Sequence, residues 1–526
     1  MFKHPLPGKT ATLHSFALLS VSLAGLALTG PAGAQTVVSQ GSPFLGCTVG
    51  ATATGVNYPE AEVEPWVVTD PIHPNHLIAA WQQDRWSDGG SHSLMSGAST
   101  DGGASWSNAL VPGIDACSGG TGDFAFDRAS DPWVTFSADG SIAYFMSLAF
   151  FNDPPTGGSG ANAMLVSRST DGGVSWGAPT ALIYDNDLNA FNDKNSMTAD
   201  PHINNNAYAV WDRLKNVAGA ANNPHGDDAA DARARRRSEI NRGGTSENSR
   251  FAYVGPSYFS RTTDGGLTWE APKIIHDPGV TAQTIANQVV VLPDANGTVM
   301  DFYTNIDHNG GTSIGFVKST NHGATFGPAQ TAQKTNITLR GTVTPDAKQP
   351  VRDANILYDV AVDPGNGNLF LVWQSGQAQN VDRVAFSMST NGGGSWSAPV
   401  LIAKTPYSPN KLRTQSFIPS VEVGANHKVY VTYYDFTYDT NNGQESTDYW
   451  SITCDIGAAA DCRTPGGWGE LTRLTAASFD ILNAPVAVGH FLGDYQGLTR
   501  RAGGMAAVYG IAIGPNNNQI VASPIP

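Results

Sequence analysis

The stretch "STDGGASWS" at 99–107 returns four times with small edits: "STDGGVSWG" at 169–177, "TTDGGLTWE" at 262–270, "STNHGATFG" at 319–327 and "STNGGGSWS" at 389–397. Each copy follows a short alternating run, such as "AMLVSRST" or "VAFSMST". Each is followed by a segment able to return as a second strand, such as "SAPVLIA". Strand, glycine-rich turn, strand is the pattern of a β-hairpin. Within the turn, Ser or Thr followed by Asp or Asn can take hydrogen bonds from backbone N–H groups, and glycine supplies positive φ. The closing Trp106, Trp176, Trp269, Phe326 and Trp396 are placed to plug the hairpin end into a core.

A second pattern precedes each nonamer. "EPWVVTDPIHPNHLIAAW" (64–81) is matched by "DPWVTFSADGSIAYFMS" (131–147), "NSMTADPHINNNAYAVW" (195–211) and "ILYDVAVDPGNGNLFLVW" (356–373). Looser copies are "QVVVLPDANGTVMDFY" (288–303) and "IPSVEVGANHKVYVTYY" (418–434). These are hairpins too, so one unit is four antiparallel strands with the nonamer in the last turn. Four-stranded sheets repeated radially make an all-β propeller. First-strand starts near 64, 131, 195, 286, 357, 418 and 494 give seven units, with six blades the alternative. The sixth unit has "TDYWSITCDIGAAADCRTPGGWGE" in place of the nonamer. The seventh runs out after about three strands, and residues 36–58 are expected to supply its outer strand.

The ends and the charge bound the function. "MFKHPLPGK", the apolar run "FALLSVSLAGLALTG" and "PAGA" before Gln35 read as a signal peptide over 1–34, cleaved near Ala34, which implies a secreted or periplasmic protein. Residues 35–526 are then one repeat domain rather than the three that length suggests. Without Lys3 and Lys9 the formal charge moves from −15 to −17, a poor balance for nucleic acid or anionic membranes. No later run is long enough to span a membrane, and a monomer is expected. Four cysteines in an oxidising compartment suit two disulfides, Cys454–Cys462 across one loop and Cys47–Cys117 as the remaining pair; none forms the C-x-x-C spacing of a metal site. The stretch 216–250, containing "DDAADARARRR", reads as a solvated insertion. No cofactor is expected, although an acidic loop such as "YDNDLNAFND" (184–193) has the chemistry for a structural calcium.

Propeller geometry puts the nonamers at one end of the blades. Residues just before the first strand and just after the second then line the channel mouth at the other end. Those positions are charged: Glu64, Asp131, Arg352 and Asp494 with Tyr495 before first strands; Asp84, Arg85, Arg213 and Asp435, behind Tyr434, after second strands. Arginine beside carboxylate at a concave mouth suits bidentate capture of a ligand carboxylate. It suits equally an Arg–Asp bridge that pins a loop.

The nonamers resemble the Asp-box, "S-x-D-x-G-x-T-W", of the sialidase or BNR-repeat superfamily, and the resemblance covers most of the mature chain. It implies a propeller and a secreted sialidase-like glycoside hydrolase acting on an acidic sugar. On that scheme Asp84 is the acid/base, Arg85, Arg213 and Arg352 clamp the substrate carboxylate, and Tyr434 or Tyr495 with a carboxylate neighbour is the nucleophile. Glu64 belongs to the same catalytic group, and Asp131, Asp435 and Asp494 to the substrate-binding one. Where that family carries "F/Y-R-I-P", unit one reads "VEPWVV". Two other functions fit the same fold: a non-catalytic propeller that binds glycans or surfaces, and a polysaccharide lyase on uronic-acid polymers with His92 or His490 moving a proton.

Overall fold

The computed structural model describes residues 1, 34–50, 55–152, 161–187, 190–216, 253–280, 282–307, 311–335, 341–377, 381–406, 408–425, 427–456, 461–469 and 471–526. The chain divides into two units, Met1–Gly30 and Pro31–Pro526. The leader expected over 1–34 falls, but for Met1 and Ala34, outside the described residues, as does 217–250 of the expected insertion. All strands belong to the second unit. Among the described residues there is no α-helix, and no helix long and apolar enough to cross a membrane.

The first strands of the repeated hairpins are β1 (Val63–Thr69), β2 (Arg128–Phe136), β3 (Ala190–Ala199), β4 (Ala282–Val291), β5 (Tyr358–Val362), β6 (Ser416–Val423) and β7 (Gly497–Arg501). β3 to β7 belong to separate antiparallel sheets of four or five strands, while the sets of β1 and β2 are joined in one eight-stranded sheet by the pairing of Ser91 with Ala129. Each first strand lies against the first strand of the next set, and β7 returns to β1. The arrangement is all-β and propeller-like. The last set borrows its outer strand from the other end of the chain, as Thr36–Val37 pairs with Ala522 and Val521.

Because every sheet has a neighbour on both faces, both sides of a strand can be apolar. In Val299–Asp307, Met300 and Phe302 enter the core shared with Leu371 and Trp373, while Val299 enters the core shared with Tyr208 and Val210. Period-2 alternation therefore sends side chains into two different cores, which is why these strands read as apolar runs.

The nonamers are alike in detail. In the first, Ser99 Oγ donates to Asp101 Oδ1 (2.8 Å) and accepts from Gly103 N–H (2.9 Å), while Asp101 accepts from Ser105 N–H (2.9 Å) and Ser105 Oγ (2.6 Å). The same set recurs around Asp171 and Asp264, and around Asn321 and Asn391 with the amide in place of one carboxylate oxygen. Gly102 and Gly103 take φ of +73° and +90°; in the fourth copy His322 takes the first of these positions at +54°.

The closing aromatic reaches into the neighbouring set. Trp176 donates to Ser96 Oγ (2.8 Å), Trp269 meets Tyr144, Phe326 meets Phe259, and Trp396 meets Phe302. Trp106 packs with Val508 and Ile520 of the last set. In the sixth set Trp468 takes this place against Phe386, its indole N–H donating to Cys462 O (3.0 Å), with the Cys454–Cys462 disulfide beside it. Cys47–Cys117 ties the N-terminal segment to the first set; the Cα separations are 5.7 and 5.8 Å, ordinary for disulfides.

Candidate functional site at the converging strand starts

Each strand reverses the last, so the starts of β1 to β7 converge at the end opposite the nonamers. Five of these strands carry the same device there. The ladder slips between Val63 and Trp66, Ser130 and Trp133, Asp193 and Ser196, Ile285 and Gln288, and Phe417 and Ser420. Inside each bulge one residue is left-handed: Glu64 (φ 54°), Asp131 (52°), Lys194 (45°), Ala286 (65°) and Ile418 (50°). A bulge re-aims side chains, and a non-glycine residue held left-handed costs about 1–3 kcal/mol, so such residues gather where a site requires them.

The device turns three charged residues toward one point. The Lys194 ammonium lies 2.8 Å from Asp494 Oδ2, 3.3 Å from Asp131 Oδ2 and 3.8 Å from Glu64 Oε1. Asp494 arrives on a loop held by the parallel pairing of Val351–Arg352 with His490–Phe491. Gly493 (φ 126°) makes the approach possible, because a Cβ there would sit 2.5 Å from Glu64 N. Asp494 N–H then donates to Glu64 Oε1 (3.2 Å), and Arg352 grips Asp494 with two bonds, Nε to Oδ1 at 2.9 Å and Nη2 to Oδ2 at 2.7 Å.

The environment drives these carboxyls apart. Burial, reinforced by Asp494 and Asp131, pushes Glu64 up to about 8 against the pull of Lys194. Burial opposes the ionisation of Asp494 too, but Arg352 and Lys194 overcome it and hold that carboxyl well below the ordinary range. Burial works against the charged Lys194; Asp131, Asp494 and Glu64 prevail and keep it protonated. Around the one ammonium, the surroundings favour the neutral form of Glu64 and the ionised form of Asp494.

Beside the cluster, Trp66 and Trp133 stack at 3.6 Å, and Tyr495 meets both edge-on. Together they wall a cavity with room of about 40 Å³, enough for a few water molecules. Two of its lining residues keep hydrogen-bonding atoms that nothing in the protein satisfies: Asp131 Oδ2, which faces Lys194 without lining up for a hydrogen bond, and Asn195 Oδ1; a third, Asn287, turns its amide toward Asp212. All three residues are buried. Unpaired buried polar atoms are rare enough that each calls for an explanation.

The expected site residues divide. Glu64, Asp131, Arg352, Asp494 and Tyr495 come together here. Asp84 does not: it is buried one layer out, where it accepts from Ser42 Oγ (2.6 Å) and Glu60 N–H (2.9 Å) and pins the N-terminal segment. Arg85 donates to Gln82 Oε1 (2.7 Å) and lies over the Phe491 ring. Arg213 is bound to Asp185 (2.5 Å) and stands 3.6 Å from Asp187. It is therefore the loop-pinning alternative that holds for Arg213, and the loop expected to suit calcium gives two of its carboxylates to that arginine. Tyr434 is core, its hydroxyl donating to Gly510 O (2.7 Å) between Phe417 and Tyr449. Asp435 accepts from Trp450 Nε1 and Thr405 Oγ1, both at 2.7 Å, with burial raising it to about 6. The physical reason is common to all: these residues lie within the last part of a second strand, one strand out from the axis.

Sequence reasoning passed over Lys194, Asn195, Asn287, Trp66 and Trp133 as site residues. The signal was present in the aligned triplets "EPW", "DPW", "KNS", "ANQ" and "IPS" at 64, 131, 194, 286 and 418. Elsewhere, Asp346, Asp439 and Glu445 are spaced to hold a cation, but Arg413 already bonds Asp346 and Asp439 at 2.7 Å each.

No family model matches the chain, and no curated protein sequence matches it. Solved structures it is similar to include a Hadza microbial sialidase (15% identity, 86% of this chain and 73% of that one, TM-score 0.44). Another is an intramolecular trans-sialidase from Ruminococcus gnavus (12%, 90% and 96%, TM-score 0.41). A third is an α-L-arabinanase from Penicillium chrysogenum (10%, 76% and 93%, TM-score 0.39).

Proposed function

We propose that the protein is a secreted, sialidase-like glycosidase built as a seven-bladed propeller over residues 35–526, with its sugar site where the first strands converge. The observation that carries this reading is the cavity wall: unpaired acceptor atoms on Asp131 and Asn195 beside the stacked Trp66 and Trp133. Sugar rings offer an apolar face to indoles and hydroxyls to buried acceptors.

Asp131 is the proton-transferring residue, because its Oδ2 is the lining carboxylate oxygen left without a donor. Asp494, held by Arg352 and Lys194, acts as a positioning residue that fixes the ammonium standing 3.3 Å from Asp131 Oδ2. Glu64 keeps its proton and acts through its contacts with Asp494 and Lys194 as a positioning residue. Carboxyls pushed apart by their surroundings are the usual mark of an acid–base site. Tyr495 is a wall rather than a nucleophile: its hydroxyl donates to Pro132 O (3.2 Å), and burial raises it well above the ordinary phenol, opposite to activation. Two disulfides fit export to an oxidising compartment.

The test is a panel of chromogenic glycosides, neutral and acidic, with wild type and Asp131→Asn. Turnover of at least one glycoside, reduced 100-fold or more by Asp131→Asn with the fold intact, supports the reading. Turnover unaffected by the substitution moves the site elsewhere. The small cavity and the ion cluster closed on itself favour one second reading, a propeller that binds glycan without cleaving it. Wild type that binds glycan and cleaves none would establish that reading.

A further inference from the structure

Resting on the sugar-site reading above, we infer that the sugar taken at the converging strand starts is uncharged, carrying neither a carboxylate nor an ammonium. The cavity lining presents four carboxyl groups, Asp131, Asp353, Asp359 and Asp494, and one ammonium, Lys194. That ammonium is already committed to Asp494 at 2.8 Å, with Asp131 at 3.3 Å. Arg352 stands behind Asp494 with both ends of its fork on that carboxylate and its guanidinium over the Phe491 ring at 4.3 Å. Arg85 and Arg213, the other arginines of the expected clamp, bond Gln82 and Asp185 and do not line the cavity. A ligand carboxylate would meet the Asp131 carboxylate and would have to strip a cation from a buried pair, which is among the more costly exchanges inside a protein.

A ligand ammonium fares no better. The unpaired acceptor with charge to attract it is Asp131 Oδ2, and Lys194 sits 3.3 Å from that same oxygen. The remaining unpaired atom, Asn195 Oδ1, is neutral. Unpaired acceptors are what sugar hydroxyls complete, since a hydroxyl donates as well as accepts. Rejection by like charge at the mouth then gives specificity, independently of which hydroxyls are equatorial.

The experiment uses the wild-type chain at low salt and compares matched probes: 4-nitrophenyl hexosides and pentosides, the corresponding uronides and free-amine glycosaminides, and a 4-nitrophenyl sialoside. Cleavage is followed, together with quenching of tryptophan fluorescence as a binding readout. Neutral glycosides preferred at least 10-fold over their uronide, amine and sialoside counterparts support the inference. Equal or stronger binding or cleavage of an acidic or amino sugar overturns the inference and leaves the glycosidase reading standing. No binding and no cleavage of any probe overturns both. Asp131→Asn removes one like charge, so among probes still bound by the variant the uronide-to-neutral affinity ratio rises about 10-fold; an unchanged ratio counts against Asp131 as the discriminating group. Should that variant fail to fold, the wild-type comparison decides alone.

Discussion

The two ends of the strands are built on opposite plans. At the nonamer end, both sequence and hydrogen bonds repeat: the Ser or Thr, the Asp or Asn, and the aromatic do the same work in five sets, and Trp468 with its disulfide does part of it in a sixth. At the converging starts the backbone repeats and the side chains do not. The same left-handed bulge carries Glu64, Asp131, Lys194, Ala286 and Ile418 in turn. Residues that recur hold the sets to one another. Where a shared backbone device presents different groups, those groups converge as one site, with each set contributing a separate part.

The contrast can be broken most forcefully at the ion cluster. Asp494→Ala leaves Lys194 and Arg352 buried without their shared partner, and a loss of about 3–5 kcal/mol in denaturant unfolding is expected. A loss under 1 kcal/mol would mean the cluster is solvated and not a hub. At the nonamer end, Trp176→Ala empties a largely buried site between two sets and should cost about 3 kcal/mol. Because Trp176 joins sets, its loss should also broaden the unfolding transition, whereas loss of a within-set plug would leave it sharp.

Acid and base should act on the two ends in opposite senses. The Thr268 hydroxyl and N–H hold Asp264 down at about 2. Stability from this turn is present above the ordinary carboxylate range and is lost as the pH falls toward 2. At the starts, burial holds Glu64 up at about 8, so the folded protein keeps a proton that the unfolded chain releases in the ordinary range. Its contribution is full below that range and declines as the pH rises through about 8. Glu64→Gln should therefore flatten the fall in melting temperature between pH 5 and 9, and an unchanged slope would remove Glu64 as its source. The smallest effect concerns strain. His322→Gly restores the residue that four nonamers use at a left-handed position, for a gain of about 0.5–1 kcal/mol. A loss instead would show that the His322 contact with Asp200, at 3.5 Å, outweighs the backbone strain.

The architecture was legible because it repeats. Five nonamers and six preceding hairpins announce four-stranded antiparallel units, and the borrowed outer strand at Thr36–Val37 follows from a last unit one strand short. The cysteine pairs followed from number and spacing. The site was legible only in part. Glu64 and Asp131 lie in bulges near the starts of first strands, Arg352, Asp494 and Tyr495 lie shortly before such strands, and the topology carries them to the axis. Asp84, Arg213 and Tyr434 lie near the ends of second strands, where charge or hydroxyl chemistry drew attention to residues that pin loops or fill a core. Asn195 has no charge to mark it; what distinguishes it is an amide oxygen without a hydrogen-bond partner, a property of the folded chain and not of the sequence.

The most direct measurement sets Asp131 against Asp84. Both are buried, both take a left-handed backbone conformation, and both stand beside candidate site residues in the sequence; one lines the cavity and the other pins the N-terminal segment. Turnover per folded molecule should be measured for Asp131→Asn and Asp84→Asn on whichever glycoside the wild type cleaves best. The account predicts a loss of 100-fold or more for Asp131→Asn, while Asp84→Asn loses stability and keeps turnover within about threefold of wild type. The reverse pattern, with Asp84→Asn inactive and Asp131→Asn fully active, would contradict the assignment of the site to the converging strand starts.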